Sequence, residues 1–525
     1  MDNMMLLGDE AIAQGALDSG MSGIYAYPGT PSTEITEYVQ ARAKNVRSNW
    51  STNEKTAMEA ALGMSYAGKR AMVCMKHVGL NVAADAFVNS ALTGVNGGLI
   101  ITVADDPSMH SSQNEQDSRF YGKFAMIPVM EPSSQQEAYD MTRQAFELSE
   151  KYKVPVLLRV TTRLAHSRAG ISRSETKRQK ELSLPADPKQ FILLPANARV
   201  RYKGLLSMQK SFLHESETSV FNFFIGKNGS RKGVITTGIA WNYLREAFPS
   251  EELPFHVLKV GQYPFPAGKV RDLAAMSDEI LVLEEGYPFI EESLRGVLDL
   301  PVKIKGRMDG TLPADGELNP DLVAKSLGIE TKSFYEVPSV VTNRPPALCN
   351  GCGHIDLYNA LNEAMEPYGK GKVFSDIGCY TLGALPPYES INSCVDMGAS
   401  ITMAKGAADA GLTPSACVIG DSTFTHSGIT GLLDAVNDQS HLTVIISDNS
   451  TTGMTGGQKS AATGKIENIC KGIGVEPAHI RTIIPLKKNH AENVKAIREE
   501  LEYKGVSVII SQRECIQTAA RKHKS

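Results

Sequence analysis

Nowhere in the 525-residue chain do eighteen apolar residues run together, so no membrane-spanning helix is expected. The opening MDNMMLLGDEAIAQGAL has no basic flank leading into a long apolar core, so no secretory signal is expected either. Charge of one sign is also missing. With 54 Lys and Arg against 58 Asp and Glu, the net charge is −4, which argues against nucleic acid and anionic membranes as partners. Cysteine is sparse and scattered. The eight thiols, at Cys74, Cys349, Cys352, Cys379, Cys394, Cys417, Cys470 and Cys515, are not spaced like a disulfide scaffold, so reduced thiols or metal ligands in a cytoplasmic protein are expected. No internal repeat is evident, although the first and last thirds share an architectural pattern. What remains is an ordinary globular composition: 42% hydrophobic, 21% charged and a mean hydropathy of −0.18. Forty-five glycines suggest many tight strand-to-helix turns. The length suits roughly three domains of ~150 residues each.

From Ile24 onward short apolar runs alternate with helical patterns, the signature of a parallel α/β sheet. Strands are predicted at 23–27, 46–50, 71–76, 99–104 and 155–160, with helices near 53–66, 81–93 and 135–152. Residues 166–230 are polar, basic around Lys177, Arg178 and Lys180, and weakly periodic, which reads as a linker with an irregular excursion. A smaller α/β domain follows to about residue 335, with strands at 232–238, 255–260 and 279–284 and no titratable cluster of evident chemical use. The chain is therefore read as three α/β domains, 1–165, 231–335 and 336–525, with the linker between the first two.

The richest stretch is ACVIGDSTFTHSGITGLLDAVNDQSHLTVIISDNSTTGMTGGQ, residues 416–458. Ala416 to Ile419 and Leu442 to Ser447 read as strands around a helix from Gly428 to Asn437. A parallel crossover returns the chain to the same sheet edge, so Asp421 and Asn449 should face one point at the carboxyl ends of two strands. One carboxylate and one amide oxygen are too few for a protein cage, but they suit Mg²⁺ that completes its shell from a diphosphate. A plain β-α-β unit with an acidic loop is the other reading. The Gly-Asp-Ser and Asp-Asn elements resemble the diphosphate-binding motif of thiamine diphosphate enzymes. That resemblance implies that Asp421, Asn449 and the backbone carbonyl of Thr451 hold Mg²⁺, with Gly378, Gly398, Gly420 and Ser422 beside the diphosphate. Each glycine can equally serve a simple turn.

Glu54, in WSTNEKTAMEAALG, opens a helix, where the macrodipole alone favours an acid. The thiamine resemblance implies a second role. A carboxyl hydrogen-bonded to the aminopyrimidine promotes its imino tautomer and so assists deprotonation of the thiazolium carbon. The polar loop Asp105 to Phe124 is long enough to be a lid or binding loop; His77 and His110 near it receive no assignment. Cys349 and Cys352 form a Cys-x-x-Cys pair, followed by distant Cys379 and Cys515. Four such thiolates suit an iron-sulfur cluster or zinc equally well.

YPGTPSTE, NEKTAMEAALG, MKHVGLNVAAD, ADDPSMHSSQNEQD, the cysteine segment, DIGCYTLG, GDSTFTHSG and DNSTTGMTGGQ occur in this order. Together they resemble the large (alpha) subunit family of indolepyruvate ferredoxin oxidoreductases, within the 2-oxoacid:ferredoxin oxidoreductase superfamily, over essentially the whole chain. The resemblance implies two thiamine diphosphate-binding domains flanking a transketolase C-terminal-like domain. It also implies oxidative decarboxylation of a 2-oxo acid with thiamine diphosphate and Mg²⁺, transfer of the acyl group to coenzyme A, and one [4Fe-4S] cluster on Cys349, Cys352, Cys379 and Cys515. A small gamma-type (beta) subunit, a dimer of such pairs, and ferredoxin or a similar acceptor complete the implied enzyme. Two departures stand out. The longer family form continues into a ferredoxin-like module, whereas this sequence stops at Ser525, so electrons are expected to leave through another subunit or a soluble carrier. Thr30 matches the carboxylate-binding Thr of pyruvate-oxidising relatives, but their substrate Arg has no clear match; Arg119 is only nearby. An aryl 2-oxo acid suits that difference better than pyruvate. The alternatives are a non-oxidative 2-oxoacid decarboxylase with structural cysteines and a catalytically silent subunit.

Overall fold

The structure, a computed structural model, describes residues 3–187, 189–248, 252–297, 300–330, 338–342 and 346–522. The chain forms two compact units, Met1–Tyr335 and Glu336–Ser525.

The larger sheet of the first unit has seven strands in the spatial order Gln262–Tyr263, Val129–Met130, Val156–Thr161, Leu99–Asp105, Ala71–Lys76, Gly23–Ala26 and Arg47–Trp50. Every neighbouring pair is parallel except the first. Leu99–Asp105 and Val156–Thr161 are buried along their whole length, because helices cover both faces of a parallel sheet. From Gly23–Ala26 the chain steps outward to Arg47–Trp50 and then crosses back to Ala71–Lys76. The loops after Ala26 and Lys76 thus flank a topological switch point, where such sheets bind ligands.

A second sheet in this unit runs Lys303–Lys305, Glu279–Leu283, Lys232–Thr237, His256–Val260 and Phe223–Ile225, the last antiparallel to its neighbour. The two sheets are stitched together: directly after His256–Val260, the strand Gln262–Tyr263 pairs with Val129–Met130 of the first. A buried ionic network joins them as well. Arg119 and Arg159 are both 0% exposed. Arg159 pairs with Asp105 at 2.6 Å and with Glu131, while Arg119 pairs with Asp117 and with Glu284 at 2.8 Å. Both guanidinium groups also donate to the Glu285 carbonyl at 3.0 Å. The middle sheet therefore does bring titratable groups to a cluster, contrary to the expectation from sequence, because Glu284 and Glu285 sit at the end of a strand facing the first sheet's arginines.

The expected irregular linker, residues 166–230, is corrected. Arg168–Ser172 is a strand paired antiparallel with Asn3–Leu7, and Pro195–Thr218 is a 24-residue helix. Leu205, Phe212 and Ser216 of that helix are buried, a stripe at i, i+7 and i+11 that gives it a core-facing side.

The second unit is built on five parallel strands in the order Val373–Ser375, Ser415–Gly420, Leu442–Asp448, Val506–Gln512 and Ile480–Ile483. Three mainly parallel sheets thus carry the described residues. Register aligns Gly420 with Ser447, so residues 421 and 449 leave adjacent strands at the same edge.

Candidate cofactor and thiol sites

Asp421 follows the last residue of Ser415–Gly420 and starts the next helix; it is 2% exposed. Its Oδ2 is buried without a hydrogen-bond partner. Burial, reinforced by the nearby Asp448 carboxylate and opposed by a Ser460 hydrogen bond, pushes its carboxyl up to about 7. A buried acid with an uncommitted oxygen fits a cation far better than it fits solvent-free isolation. The Asn449 Oδ1 accepts from the Thr451 backbone N–H at 3.1 Å, and buried Thr451 donates its hydroxyl to the Gln458 carbonyl at 2.9 Å. Ser422 and Thr452 share a hydroxyl contact at 3.0 Å. The predicted oxygens are thus gathered at one strand edge, and the donor set fits Mg²⁺ completed by a diphosphate.

The glycines divide. Gly398 has φ +96°, and a Cβ there would lie 2.6 Å from Ser427 Cβ, so both backbone conformation and space demand glycine. Gly378 and Gly420 have ordinary backbone, but a Cβ on either would strike the Tyr380 ring, at 2.3 and 2.5 Å. That ring caps Asp376, which accepts from the Tyr380 hydroxyl and from Ser400 N–H at 3.2 Å. Burial pushes the Asp376 carboxyl up to about 6. Sequence reading passed over Asp376 even though it begins the DIGC segment.

Cys349, Cys352, Cys379 and Cys515 line one cavity of about 110 Å³. The Cys379 thiol is pushed up to about 12, first by burial and then by the charges of Cys352, Cys515 and Cys349, and Cys352 is raised by burial and by Cys349 and Cys515. Mutual repulsion of this kind marks thiols that need a cation between them to ionise together. Among the described residues, no three of these sulfurs lie within 4.8 Å of one another. Gln517 donates to Cys349 Sγ at 3.6 Å. His354, also in the pocket, lies 3.2 Å from Cys352 Sγ and is pushed down to about 4 by burial. Asn449 lines the same pocket, and the Cys515 N–H donates to the Asn449 carbonyl at 3.2 Å. Thiols and diphosphate motif are therefore neighbours.

In the first unit, Thr30 and Glu54 lie about the switch point. Thr30 precedes Pro31 in a loop whose Thr30 carbonyl accepts from the Ser111 hydroxyl at 3.3 Å. Glu54 is the first residue of the helix Glu54–Tyr66, capped by Asn53, and is 4% exposed. Gly79 makes room for it: a Cβ there would lie 2.6 Å from Glu54 Cγ. Between them stands Lys76, missed from sequence because an isolated lysine usually means a solvated surface. Its stem packs on Gly29, with Cδ 3.5 Å from a Cβ built there, and its Nζ donates to the Ser111 carbonyl at 2.9 Å. Burial lowers the Lys76 ammonium, against the pull of Asp106 and Glu54. The loop 105–124 is tied down, with Ser118–Ala125 helical. Arg119 within it is buried and committed to Asp117, Glu284 and two carbonyls, which ties it to the fold. His77 is buried with Nε2 3.1 Å from the Asn114 carbonyl, and His110 pairs with Glu317 at 3.1 Å. Among the described residues no helix is long and apolar enough to cross a membrane.

Residues 14–218 match the family described as pyruvate flavodoxin/ferredoxin oxidoreductase, thiamine diphosphate-binding, and residues 376–511 match the C-terminal binding domain of thiamine pyrophosphate enzymes. The chain is 39% identical to indolepyruvate oxidoreductase subunit IorA of Methanothermobacter thermautotrophicus, over 98% of its own length and 87% of the relative's. It is 37% identical to the same subunit of Pyrococcus abyssi, over 98% and 86%. Among solved structures, 2-oxoglutarate:ferredoxin oxidoreductase from Magnetococcus marinus superposes with a TM-score of 0.53 at 18% identity, over 62% of this chain and 65% of that one. That likeness is one of fold.

Proposed function

The chain belongs to the family of indolepyruvate oxidoreductase IorA subunits, which makes it a thiamine diphosphate-dependent 2-oxoacid:ferredoxin oxidoreductase, and on that premise we propose that it oxidatively decarboxylates an aryl 2-oxo acid to its coenzyme A thioester, with electrons leaving through a [4Fe-4S] cluster on Cys349, Cys352, Cys379 and Cys515. Thiamine diphosphate, when bound, supplies the carbanion chemistry of decarboxylation. The chain's own residues hold and orient. Asp421, Asn449 and the Thr451 carbonyl ligate Mg²⁺, while Ser422, Gly378, Gly398 and Gly420 border the diphosphate. Glu54 would accept or donate the hydrogen bond to the aminopyrimidine that favours its imino tautomer. Thr30 and Lys76 take the substrate carboxylate, Lys76 in place of the arginine that this sequence lacks. A half-buried ammonium gives a charge-assisted bond to a carboxylate without the planar fork of arginine. A small beta-type subunit, in a dimer of such pairs, and ferredoxin or a similar carrier complete the enzyme.

The observation that carries this reading is the pocket in which the Cys349–Cys352 pair and the distant Cys379 and Cys515 meet Asn449, with the Cys515 N–H bonded to its carbonyl. That closeness supports an electron exit against the diphosphate end of the proposed site. Anaerobic purification with the beta-type subunit should yield about four iron and four sulfide per chain, bound thiamine diphosphate, and dye reduction that requires both an aryl 2-oxo acid and coenzyme A. Aldehyde release without either acceptor would make the protein a non-oxidative decarboxylase instead, and a preparation without iron would remove the electron exit while leaving the thiamine site.

Lys76→Met should raise the KM for the 2-oxo acid about 10- to 100-fold, the loss of one charge-assisted hydrogen bond, with thiamine diphosphate affinity unchanged and partial recovery in Lys76→Arg. Steady-state kinetics beside a cofactor titration checks this. An unchanged KM, or a loss of cofactor affinity, would move Lys76 out of the substrate site.

A further inference from the structure

Apart from the thiamine and thiol sites, three side chains from distant parts of the first unit converge. Asp9 is the second residue of the helix Gly8–Asp18, Glu34 the second of Thr33–Arg42, and His166 the last of Thr162–His166. One ligand atom from each lies within 4.8 Å of the other two. Asp9 is 0% exposed, and neither of its carboxylate oxygens has a hydrogen-bond partner. The Glu34 Oε2 is likewise buried and unpartnered, while its Oε1 lies 3.6 Å from His166 Nε2. Three uncommitted carboxylate oxygens facing one another are repulsive unless something positive stands between them.

We propose that Asp9, Glu34 and His166 form a binding site for a first-row divalent cation, distinct from the magnesium site of the thiamine cofactor. Bonds of about 2.0–2.2 Å to oxygen and nitrogen place ligand atoms roughly 3–4 Å apart, within reach of the observed spread after a small inward movement. Two carboxylates and one neutral imidazole balance a 2+ ion, so the buried cluster becomes neutral. The imidazole favours Mn²⁺, Zn²⁺ or Fe²⁺ over Mg²⁺, and the oxygens disfavour soft ions. Exposed His166 leaves an entry path and a position for water, as metal sites require. Glu10 stays outside the ligand set, since its Oε2 accepts from the Leu7 N–H at 2.9 Å. The cation ties the N-terminal helix to the first turn after Thr30-Pro31 and to the short helix that follows the core strand Val156–Thr161.

Mn²⁺ is the probe, because it avoids the thiol pocket that Zn²⁺ would enter. The full-length protein, carrying thiamine diphosphate and excess Mg²⁺ to fill the cofactor's metal site, is titrated with Mn²⁺ and the free ion counted by electron paramagnetic resonance. One retained Mn²⁺ per chain is expected, with nitrogen coupling from an imidazole and a raised Tm. Asp9→Asn and His166→Gln should lose the ion and the Tm shift, whereas Asp421→Asn should keep both. Equal Mn²⁺ binding by wild type and Asp9→Asn overturns the proposal. No Mn²⁺ retained by wild type, together with an Asp9→Asn protein as stable as wild type, would overturn it in favour of two carboxyls sharing a proton. His166→Gln, at an exposed position, keeps the test valid if Asp9→Asn folds poorly.

Discussion

Glu285 is a carboxyl with nowhere to put a charge. It is 1% exposed, its Oε2 has no hydrogen-bond partner, and its best cation, Arg307, stands 3.8 Å away. Burial, with repulsion from Glu317, outweighs Arg307 and the Leu318 N–H and pushes it up to about 8 from an unfolded value of 4.5. The folded state therefore holds a proton that the unfolded chain has already released. Stability from this group is complete below the unfolded value and is lost as pH rises toward the folded one. Glu285→Gln, neutral at all pH, should leave Tm nearly unchanged at about pH 5 and raise it relative to wild type at about pH 9. A parallel drop at both pH values would mean that the carboxyl is ionised and paired. At this scale the sequence was legible where chemistry fixes type and spacing together. Asp421 and Asn449, which leave adjacent strands at one edge, and the four cysteines, which line one pocket, are residues that the sequence singled out and the structure brings together. Lys76, His354, Asp376 and Asp9 were not legible. Their meaning lies in burial and in neighbours distant in the chain, and neither leaves a local pattern.

The helix Pro195–Thr218 shows the corresponding limit for elements. Its stretch is polar, Gly204 interrupts it, and several of its apolar residues, Val200, Leu206 and Leu213 among them, are exposed, so the periodicity is blurred. Yet Leu205 and Phe212 are 2% and 1% exposed, and the Phe212 ring meets Tyr152 edge-on at 5.3 Å. One buried stripe is enough to hold a helix that the polar remainder would leave unread. Phe212→Ala should cost about 3–5 kcal/mol in chemical denaturation, whereas Leu206→Ala on the exposed side should stay within about 0.5 kcal/mol. Equal and small effects would return the segment to linker status. Elsewhere the elements were plain in sequence. Ala71–Lys76 and Gln135–Tyr152 have the expected bounds, because buried parallel strands are unbroken β-branched or apolar runs and long amphipathic helices declare their period. The strand pair Asn3–Leu7 and Arg168–Ser172 was missed, since pairing across such a separation is set by where the sheet brings the two ends.

At the level of the whole molecule, the assigned work is divided between the two compact units. Glu54, Thr30 and Lys76 belong to the first, and the magnesium oxygens and all four thiols to the second. Removing one function should therefore leave the chemical content of the other intact. Glu54→Gln keeps the size and burial of the side chain but lowers its basicity. It should lower coenzyme A-dependent dye reduction by about 10²- to 10⁴-fold, the usual contribution of a positioned acid-base group, with iron, sulfide and thiamine diphosphate content at wild-type levels. Cys379→Ser should do the reverse to the composition: iron falls, thiamine diphosphate stays, and the substrate is consumed without reducing the dye. Cys379 is the discriminating choice because it is the most strongly perturbed of the four thiols, and its Sγ stands 3.1 Å from a Cβ built on Gly453 in the DNSTTGMTGGQ segment. If Glu54→Gln lost iron, the change would be acting on the fold rather than on proton transfer. If Cys379→Ser retained full electron transfer, the thiols would be structural, and the electrons would have to leave by a route that this pocket does not provide.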